Sequence, residues 1–558
     1  MINWFGRVFR ALGNMLAAAA RDPLWAFMCI VISPFRMWKH LLGTIAIVLL
    51  SALVLDLLFL WLESFIVPHG TRNKLLDLVL GIVWLALVLA IFLRVIAQPL
   101  LNHFDYGDGA STHGSARFAS QQEMDTVTGV RDGLLIGREG PGGRLMRYNG
   151  PSHLLTMAPT RSGKGVGTII PNLLIQNRSI VCIDPKGENA RITARARSAF
   201  GPVYILDPFG VTGQMSAAYN PIASLDTDSP DIAEDAALLA DALVSDPPGA
   251  AGEAHWNEEA KALISGIILY IAAEEIGARR SLATLRDCLT LDTQEFADLL
   301  GRMQQTDACN GLIRRAANRH KSKSDREAAG VLSAAQRHTH FLDSPRMAEV
   351  LRLSDLSFGD LKRQVTTVFL VLPPDRLDTY ARWLRLLVTQ SLTDMVRSTG
   401  HLSSPVLYLL DEFASLGHLA AVERAMSLLA GYGVQLWPIL QDIHQLKATY
   451  GQRAGTFLSN AGVLQVFGVN DHESARLVSD LLGQSTVVFQ TMSRNLDSEQ
   501  SGITYGEQHT GRSLLTPDEV RRLPPDAELL FLAGQAPHIA HKLKYYADPE
   551  FTGRFDKG

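Results

Sequence analysis

The run Ala158-Pro159-Thr160-Arg161-Ser162-Gly163-Lys164-Gly165-Val166 joins the apolar, strand-like HLLTMA to the helix-like VGTIIPNLLIQ. A glycine and a lysine at such a junction suit phosphate chemistry. Backbone N–H groups at a helix N-terminus point at the anion, and the ammonium meets the terminal phosphates of a nucleotide. The full pattern, GxxxxGK followed by Ser or Thr, is met only in part. Ala158 stands at the first glycine, which is tolerable at negative φ, and Gly165 stands where a hydroxyl would ligate Mg²⁺. Thr168 one turn on, or Thr160 or Ser162 within the loop, is left to supply that ligand, directly or through water. By itself the loop reads equally as an ordinary strand-to-helix turn.

A second element tips the balance towards ATP. VLYLL runs straight into Asp411-Glu412, so a buried strand ends by presenting two carboxylates. Hydrolysis of ATP needs one carboxylate to hold Mg²⁺, the role that suits Asp411, and often a neighbour to polarise the attacking water, the role that suits Glu412. VQLWPIL then delivers Gln441, an amide suited to sensing the γ-phosphate or orienting that water; capping of the helix that begins near Asp442 is its alternative. Lys164, Asp411, Glu412 and Gln441 are the candidate catalytic set, with 158–166 as the nucleotide loop. In IDPKGE, the residues Asp184, Lys186 and Glu188 are open to two readings, a satisfied loop or a nucleotide or inter-subunit contact. An arginine finger is expected if subunits share the site, and nothing favours Arg424 over Arg382 or Arg385.

Short apolar runs alternate with helical stretches around these residues: HLLTMA, SIVCID and PVYILD in the first half, then TTVFLVL, VLYLL, VQLWPIL, GVLQVFGV and ELLFLAG. That grammar predicts a parallel α/β sheet with buried strands. It stops from about residue 229 to 352, where Glu, Ala, Leu and Arg recur with helical periodicity, so an all-α domain is expected to interrupt the sheet. The boundaries are a nucleotide-binding domain in two parts, 116–225 and 356–558, around an all-α domain at 226–355. Within the latter, Arg314, Arg315, Arg319, Lys321, Lys323 and Arg326 crowd one stretch, as a solvated helix face or as a contact for phosphates or an acidic partner.

Two apolar stretches precede all of this, at 43–62 and 75–93, each interrupted by one acid, Asp56 and Asp77. Both lengths suit a hydrocarbon core of ~30 Å. Asp56 is expected to face a neighbouring helix in an oligomer, an ion or signal relay being its alternative. Arg7, Arg10, Arg21, Arg36 and Lys39 stand against a single acid, Asp22, in residues 1–42, a basic amphipathic start, and Arg94 closes the second stretch, so the positive-inside rule places both termini in the cytoplasm and the link 63–74 in the periplasm. A Gly-, Ser- and Asp-rich linker at 97–115 leads to the globular part. Across all 558 residues the charged fraction is 19%, the apolar fraction 47% and the net charge −4, which excludes a disordered chain or a generally basic nucleic-acid coat. The four cysteines, Cys29, Cys182, Cys288 and Cys309, form no CxxC pair and suggest neither a metal cluster nor a disulfide framework.

Taken in order from about residue 110, the segments HGSARFA, APTRSGKGVG, IDPKGE, ILDPFG, YNPI, LLDEFASLG, QDIHQLKATYG, FGVND with SARLVSDLLG, and LLTPDEVRRLP resemble the coupling proteins of type IV secretion systems, the TraG/TraD-like group. The resemblance implies a homo-hexameric inner-membrane ATPase with a RecA-like P-loop domain, an inserted all-α domain and a two-helix transmembrane anchor. Such proteins recruit relaxase–DNA complexes, effector proteins or both, and hand them to the channel and inner-membrane subunits of the secretion system. Lys164, Asp411, Glu412 and Gln441 match the family's phosphate, Mg²⁺, water and sensor positions, and a glycine like Gly165 occurs in many members. No arginine matches the finger. With no long acidic tail before Gly558, recruitment is expected of the helical domain. The alternatives are a DNA-translocating motor of the FtsK type and a non-hydrolysing, nucleotide-bound membrane receptor.

Overall fold

A computed structural model describes residues 112–244, 254–400, 402–494 and 503–558 continuously, with scattered helical positions among 8–101. Its strands are β1 (Leu134–Arg138), β2 (Leu145–Tyr148), β3 (His153–Met157), β4 (Ile180–Asp184), β5 (Val203–Leu206), β6 (Thr367–Val371), β7 (Val406–Leu410), β8 (Val434–Leu440), β9 (Ala461–Val466), β10 (Gln484–Arg494), β11 (Ile503–Ser513), β12 (Ala527–Leu532) and β13 (His538–His541).

Eleven of them form one sheet in the order β2-β1-β13-β12-β9-β3-β8-β7-β4-β6-β5. From β9 to β5 every pairing is parallel. β12, β13, β1 and β2 extend it with antiparallel pairings. The all-parallel expectation thus holds for the half of the sheet that carries the candidate site and gives way at the other half. Hydrophobic runs announce burial on both faces; they do not announce strand direction.

Alternation sorts the central strands onto two apolar cores. Leu155, Met157, Val181, Ile183, Tyr408 and Leu410 face one of them, and Leu154, Ile180, Cys182, Leu407, Leu409, Trp437 and Ile439 face the other. All five residues of β7 are buried, each apolar side chain worth roughly 1.5–3 kcal/mol. Such a strand cannot shift register without exposing one whole set. Its C-terminal end is therefore a firm platform.

Between β5 and β6 the described chain is helical, with Ile232–Leu243, Ala254–Glu274, Leu282–Leu289, Thr293–Gln305, Leu312–Lys321, Asp325–Thr339 and Pro345–Val350. Leu239, Leu263, Ile267 and Leu285 of these helices belong to the same apolar cluster as Leu155 and Val181 of the sheet. The insertion is packed into the sheet's own core.

Two compact units result. One comprises 116–483 with 513–558. The other comprises 1–115 with 484–512, and β10 and β11 form a two-stranded sheet within it. In that second unit the Trp84 indole N–H donates to Asp56 Oδ1 at 3.4 Å, so the acid of the first apolar stretch meets a residue of the second. Among the described residues no helix is long and apolar enough to cross a membrane. Many positions of the stretches 43–62 and 75–93, nearly all of the link 63–74 and most of the linker 97–115 lie outside the described residues.

Candidate functional site

In the parallel half of the sheet the C-terminal ends of β3, β8, β7 and β4 lie side by side, where ligands of open α/β sheets bind. The loop after β3 is tied to the end of β8 by the Ala158 N–H, which donates to the Leu440 carbonyl at 2.8 Å. Its left-handed residues are Arg161 (φ 64°) and Gly163 (φ 93°), so Ala158 replaces a glycine without backbone strain. From Gly165 a π-turn over Gly165–Ile169 leads into the helix Ile170–Ile175. The Gly167 N–H is taken by the Gly163 carbonyl at 2.8 Å, and the N–H groups before it, at the start of the turn, suit an incoming anion.

Lys164 reaches across to the end of β7. Its Nζ lies 2.5 Å from Glu412 Oε1 and 2.9 Å from Asp411 Oδ1. Burial works against the charge on Lys164, but the attraction of Asp411 and the hydrogen bonds to both carboxylates outweigh it, and the net shift is upward. Asp411 is pushed up by burial, a shift that Lys164 opposes. Glu412 adopts φ 50°, in the left-handed region at a non-glycine residue, which costs on the order of 1–2 kcal/mol. That conformation is held by its N–H donating to Asp411 Oδ1 and by its carbonyl accepting from both the N–H and the hydroxyl of Ser415. Strain retained at a charged strand end is a mark of function.

Gln441 completes the cluster from β8. Its Nε2 donates to Glu412 Oε2 at 3.2 Å, and its Oε1 accepts from the Thr160 hydroxyl at 3.3 Å. The helix that follows is capped by Asp442, whose carboxylate accepts from the Gln445 N–H. The alternative of Gln441 as the cap is thereby excluded.

The loop hydroxyls part company. Thr160 bonds to Gln441, as above, and the Ser162 hydroxyl is buried without a hydrogen-bond partner. Thr168, expected as a metal ligand, is not brought to the cluster: it is fully buried, and its hydroxyl donates to Gln465 Oε1 at 3.1 Å. A Cβ placed on Gly165 would meet nothing within 4 Å, so the space that a hydroxyl residue would fill is open. Two adjacent carboxylates already compensating a cation, beside an open glycine, fit a nucleotide's Mg²⁺, with Asp411 as the oxygen donor and Glu412 next to it.

Asp184, next to Asp411 across the β4–β7 pairing, is an internal cap. Its carboxylate accepts from the Ala190 N–H at 2.8 Å, and burial pushes it up to about 6. Lys186 and Glu188 are exposed. Three of the six cations of the basic stretch are paired within the chain, Arg314 with Asp307, Arg319 with Glu259, and Lys323 with Glu259 and Glu327. Among the described residues Arg315 and Lys321 have only neutral hydrogen-bond partners, so the stretch keeps both of its readings.

Sequence reasoning missed Lys542, Gln465 and Glu528. Lys542, just after β13, donates to the carbonyls of Ser162 at 3.2 Å and Phe467 at 2.9 Å, and so braces the loop from the antiparallel half of the sheet. Gln465 of β9 accepts from Thr156 and Thr168 and donates to Glu528 Oε2 at 2.7 Å. Burial pushes the Glu528 carboxyl up to about 8. No spacing in the sequence signals these contacts, because each joins residues hundreds of positions apart or a strand whose direction was unread.

The family model described as "Type IV secretory system Conjugative DNA transfer" matches residues 116–557. A conjugal transfer protein TraG of Escherichia coli is 29% identical over 499 residues, covering 79% of this chain and 78% of that protein. Protein VirD4 of Rhizobium radiobacter is 30% identical over 468 residues, 80% of this chain and 65% of its own length. Among solved structures the bacterial conjugative coupling protein TrwBdeltaN70 aligns with TM-score 0.61 at 18% identity, over 81% of this chain and 99% of its own, a likeness of fold. The match across the whole nucleotide-binding part and its helical insertion establishes that this chain belongs to the type IV secretory system conjugative DNA transfer family.

Proposed function

We propose that this protein is the coupling ATPase of a type IV secretion system. It recruits relaxase–DNA complexes, effector proteins or both at the inner membrane, and uses ATP binding and hydrolysis to deliver them to the channel. One observation carries the reading: Lys164 from the loop after β3 meets Asp411 and Glu412 at the end of β7, and Gln441 after β8 bonds to Glu412. The fold likeness supports it as well, since the plasmid coupling protein TrwB has been captured with ADP and Mg²⁺ and with the ATP analogue ADPNP.

In this reading the 158–166 loop cradles the phosphates with backbone N–H groups, and Lys164 moves from the carboxylates to the β- and γ-phosphates. Asp411 and Glu412 are then free to hold Mg²⁺ and the attacking water. A bound Mg²⁺ supplies neutralisation of the charge that develops on the transferred phosphoryl group. Gln441, already bonded to Glu412 and Thr160, positions the water and reports loss of the γ-phosphate back to the loop. The apolar stretches 43–62 and 75–93 support a two-span anchor, and the missing arginine finger is supplied by a neighbour in a homo-hexamer.

Phosphate release by the purified full chain, with and without DNA, is the direct test. Steady release that Glu412→Gln abolishes while nucleotide still binds is the expected result. Nucleotide binding without any turnover in the wild type would instead favour a non-hydrolysing receptor.

A further inference from the structure

A cavity of about 260 Å³ opens between the helical insertion and the turn that follows Glu412. That is the small end of ligand clefts, which run roughly 300–1,000 Å³. One wall carries Asp241 and Lys261 of the insertion; the other carries Arg385, His418, Ala420, Ala421 and Arg424. This is a different place from the Lys164 cluster, and none of its lining is used there.

Its electrostatics are lopsided. Arg385 is only 7% exposed, donates Nη1 to the Leu416 and His418 carbonyls at 2.8 Å each, and keeps its Nε without a partner. No carboxylate meets its guanidinium among the described residues, although a buried cation without a counter-charge is costly. The acid on the opposite wall, Asp241, lies 3.1 Å from Lys261, which Glu258 also meets at 2.8 Å, so that wall adds no free charge of either sign to Arg385 and Arg424. Arg424 has no ion-pair partner among the described residues.

Backbone dipoles add to the same side. The helix Ala420–Leu428 begins in this wall at Leu419 with no side-chain cap, so its first N–H groups are left for something else to satisfy. Glu423, the acid of its first turn, is engaged by His418 and Arg453 and leaves the opening uncompensated. A helix N-terminus is by itself a weak attraction; beside a buried arginine that no carboxylate compensates among the described residues it makes a built anion site.

We propose that this cavity binds the phosphate group of a small phosphorylated ligand, held by Arg385, Arg424 and the free N–H groups at the start of the helix Ala420–Leu428. Because Arg385 also grips the carbonyls of the turn after Glu412, the occupant bears on the strained backbone of that residue. The binding claim stands independently of the catalytic reading.

Calorimetric titration of the full chain with inorganic pyrophosphate tests it. The wild type is expected to show two classes of site. Lys164→Ala removes or weakens one and leaves the other, while Arg424→Glu weakens that other by roughly tenfold or more. Lys261→Gln, which leaves Asp241 uncompensated on the opposite wall, weakens it too, so the outcome does not hang on one variant's folding. Parallel titrations with inorganic phosphate and with AMP distinguish a bare anion from a nucleotide, and preference for either supports the site. Pyrophosphate binding unchanged in both Arg424→Glu and Lys261→Gln, or absent from Lys164→Ala altogether, overturns it. Should Lys164→Ala match the wild type while Arg424→Glu still loses a site, the catalytic reading fails and this one survives.

Discussion

Lys164 Nζ sits 2.5 Å from Glu412 Oε1 although 248 positions separate them in the chain. The parallel sheet makes this possible by setting the ends of β3 and β7 on either side of β8. The lysine thereby occupies the place where a nucleotide's charge would be exchanged for that of the carboxylates.

Replacing either partner should separate binding from chemistry. Glu412→Gln keeps the hydrogen-bonding shape and removes the charge that polarises water, so turnover falls by roughly 10²–10⁴ while nucleotide affinity is retained. Lys164→Ala lowers both affinity and turnover. Phosphate release and equilibrium nucleotide binding, measured on the same preparations, check the contrast; equal loss of binding in both variants contradicts it.

Gly165→Ser restores the hydroxyl of the full loop pattern in a position where a Cβ meets nothing within 4 Å. Gly165 is not among the residues with positive φ, so stability should change by no more than about 0.5 kcal/mol. Half-maximal turnover should then need less Mg²⁺. A higher Mg²⁺ requirement would show that this hydroxyl does not reach the metal.

Thr168→Val is expected to act on stability and not on metal dependence. It deletes the buried hydrogen bond to Gln465 at a cost of about 1 kcal/mol, read by denaturant unfolding. An altered Mg²⁺ requirement in this variant would restore Thr168 as a metal ligand.

Glu528 makes a pH prediction. Its carboxyl is held up to about 8 by burial, against an ordinary 4.5, so between those values the folded chain keeps a proton that the unfolded chain has released. Stability from this residue is full below pH 4.5 and is lost as pH rises towards 8. Asp184 and Asp394, pushed up to about 6, act in the same direction but lower in pH. Glu528→Gln should therefore flatten the fall in melting temperature between pH 6.5 and 8.5, by on the order of 2 °C or more. Identical slopes in variant and wild type would refute the assignment.

Much of the site was legible before any coordinates. Lys164, Asp411, Glu412 and Gln441 follow strand-like runs, and β3, β7 and β8 are apolar enough to be recognised as buried wherever they pair. The strand ends then have to lie at the sheet's edge, because charged residues cannot continue into either core. For Thr168, spacing puts it one turn from the loop without saying which way that turn faces; its partner is Gln465, from a strand beyond it.

What the sequence determined by itself is the inventory: a glycine-lysine loop, two carboxylates and an amide, each at the end of a hydrophobic run, with a helical segment set between them. The tertiary structure alone decided which strands are neighbours and in which direction they run. It therefore decided that Lys164 reaches Glu412, that Lys542 braces the loop, and that Arg385 is left buried without a counter-charge. Local pattern follows from the periods of helix and strand, which a chain carries along its length. Contacts between strand ends depend on closing loops of hundreds of residues, and no short-range pattern records which ends will meet.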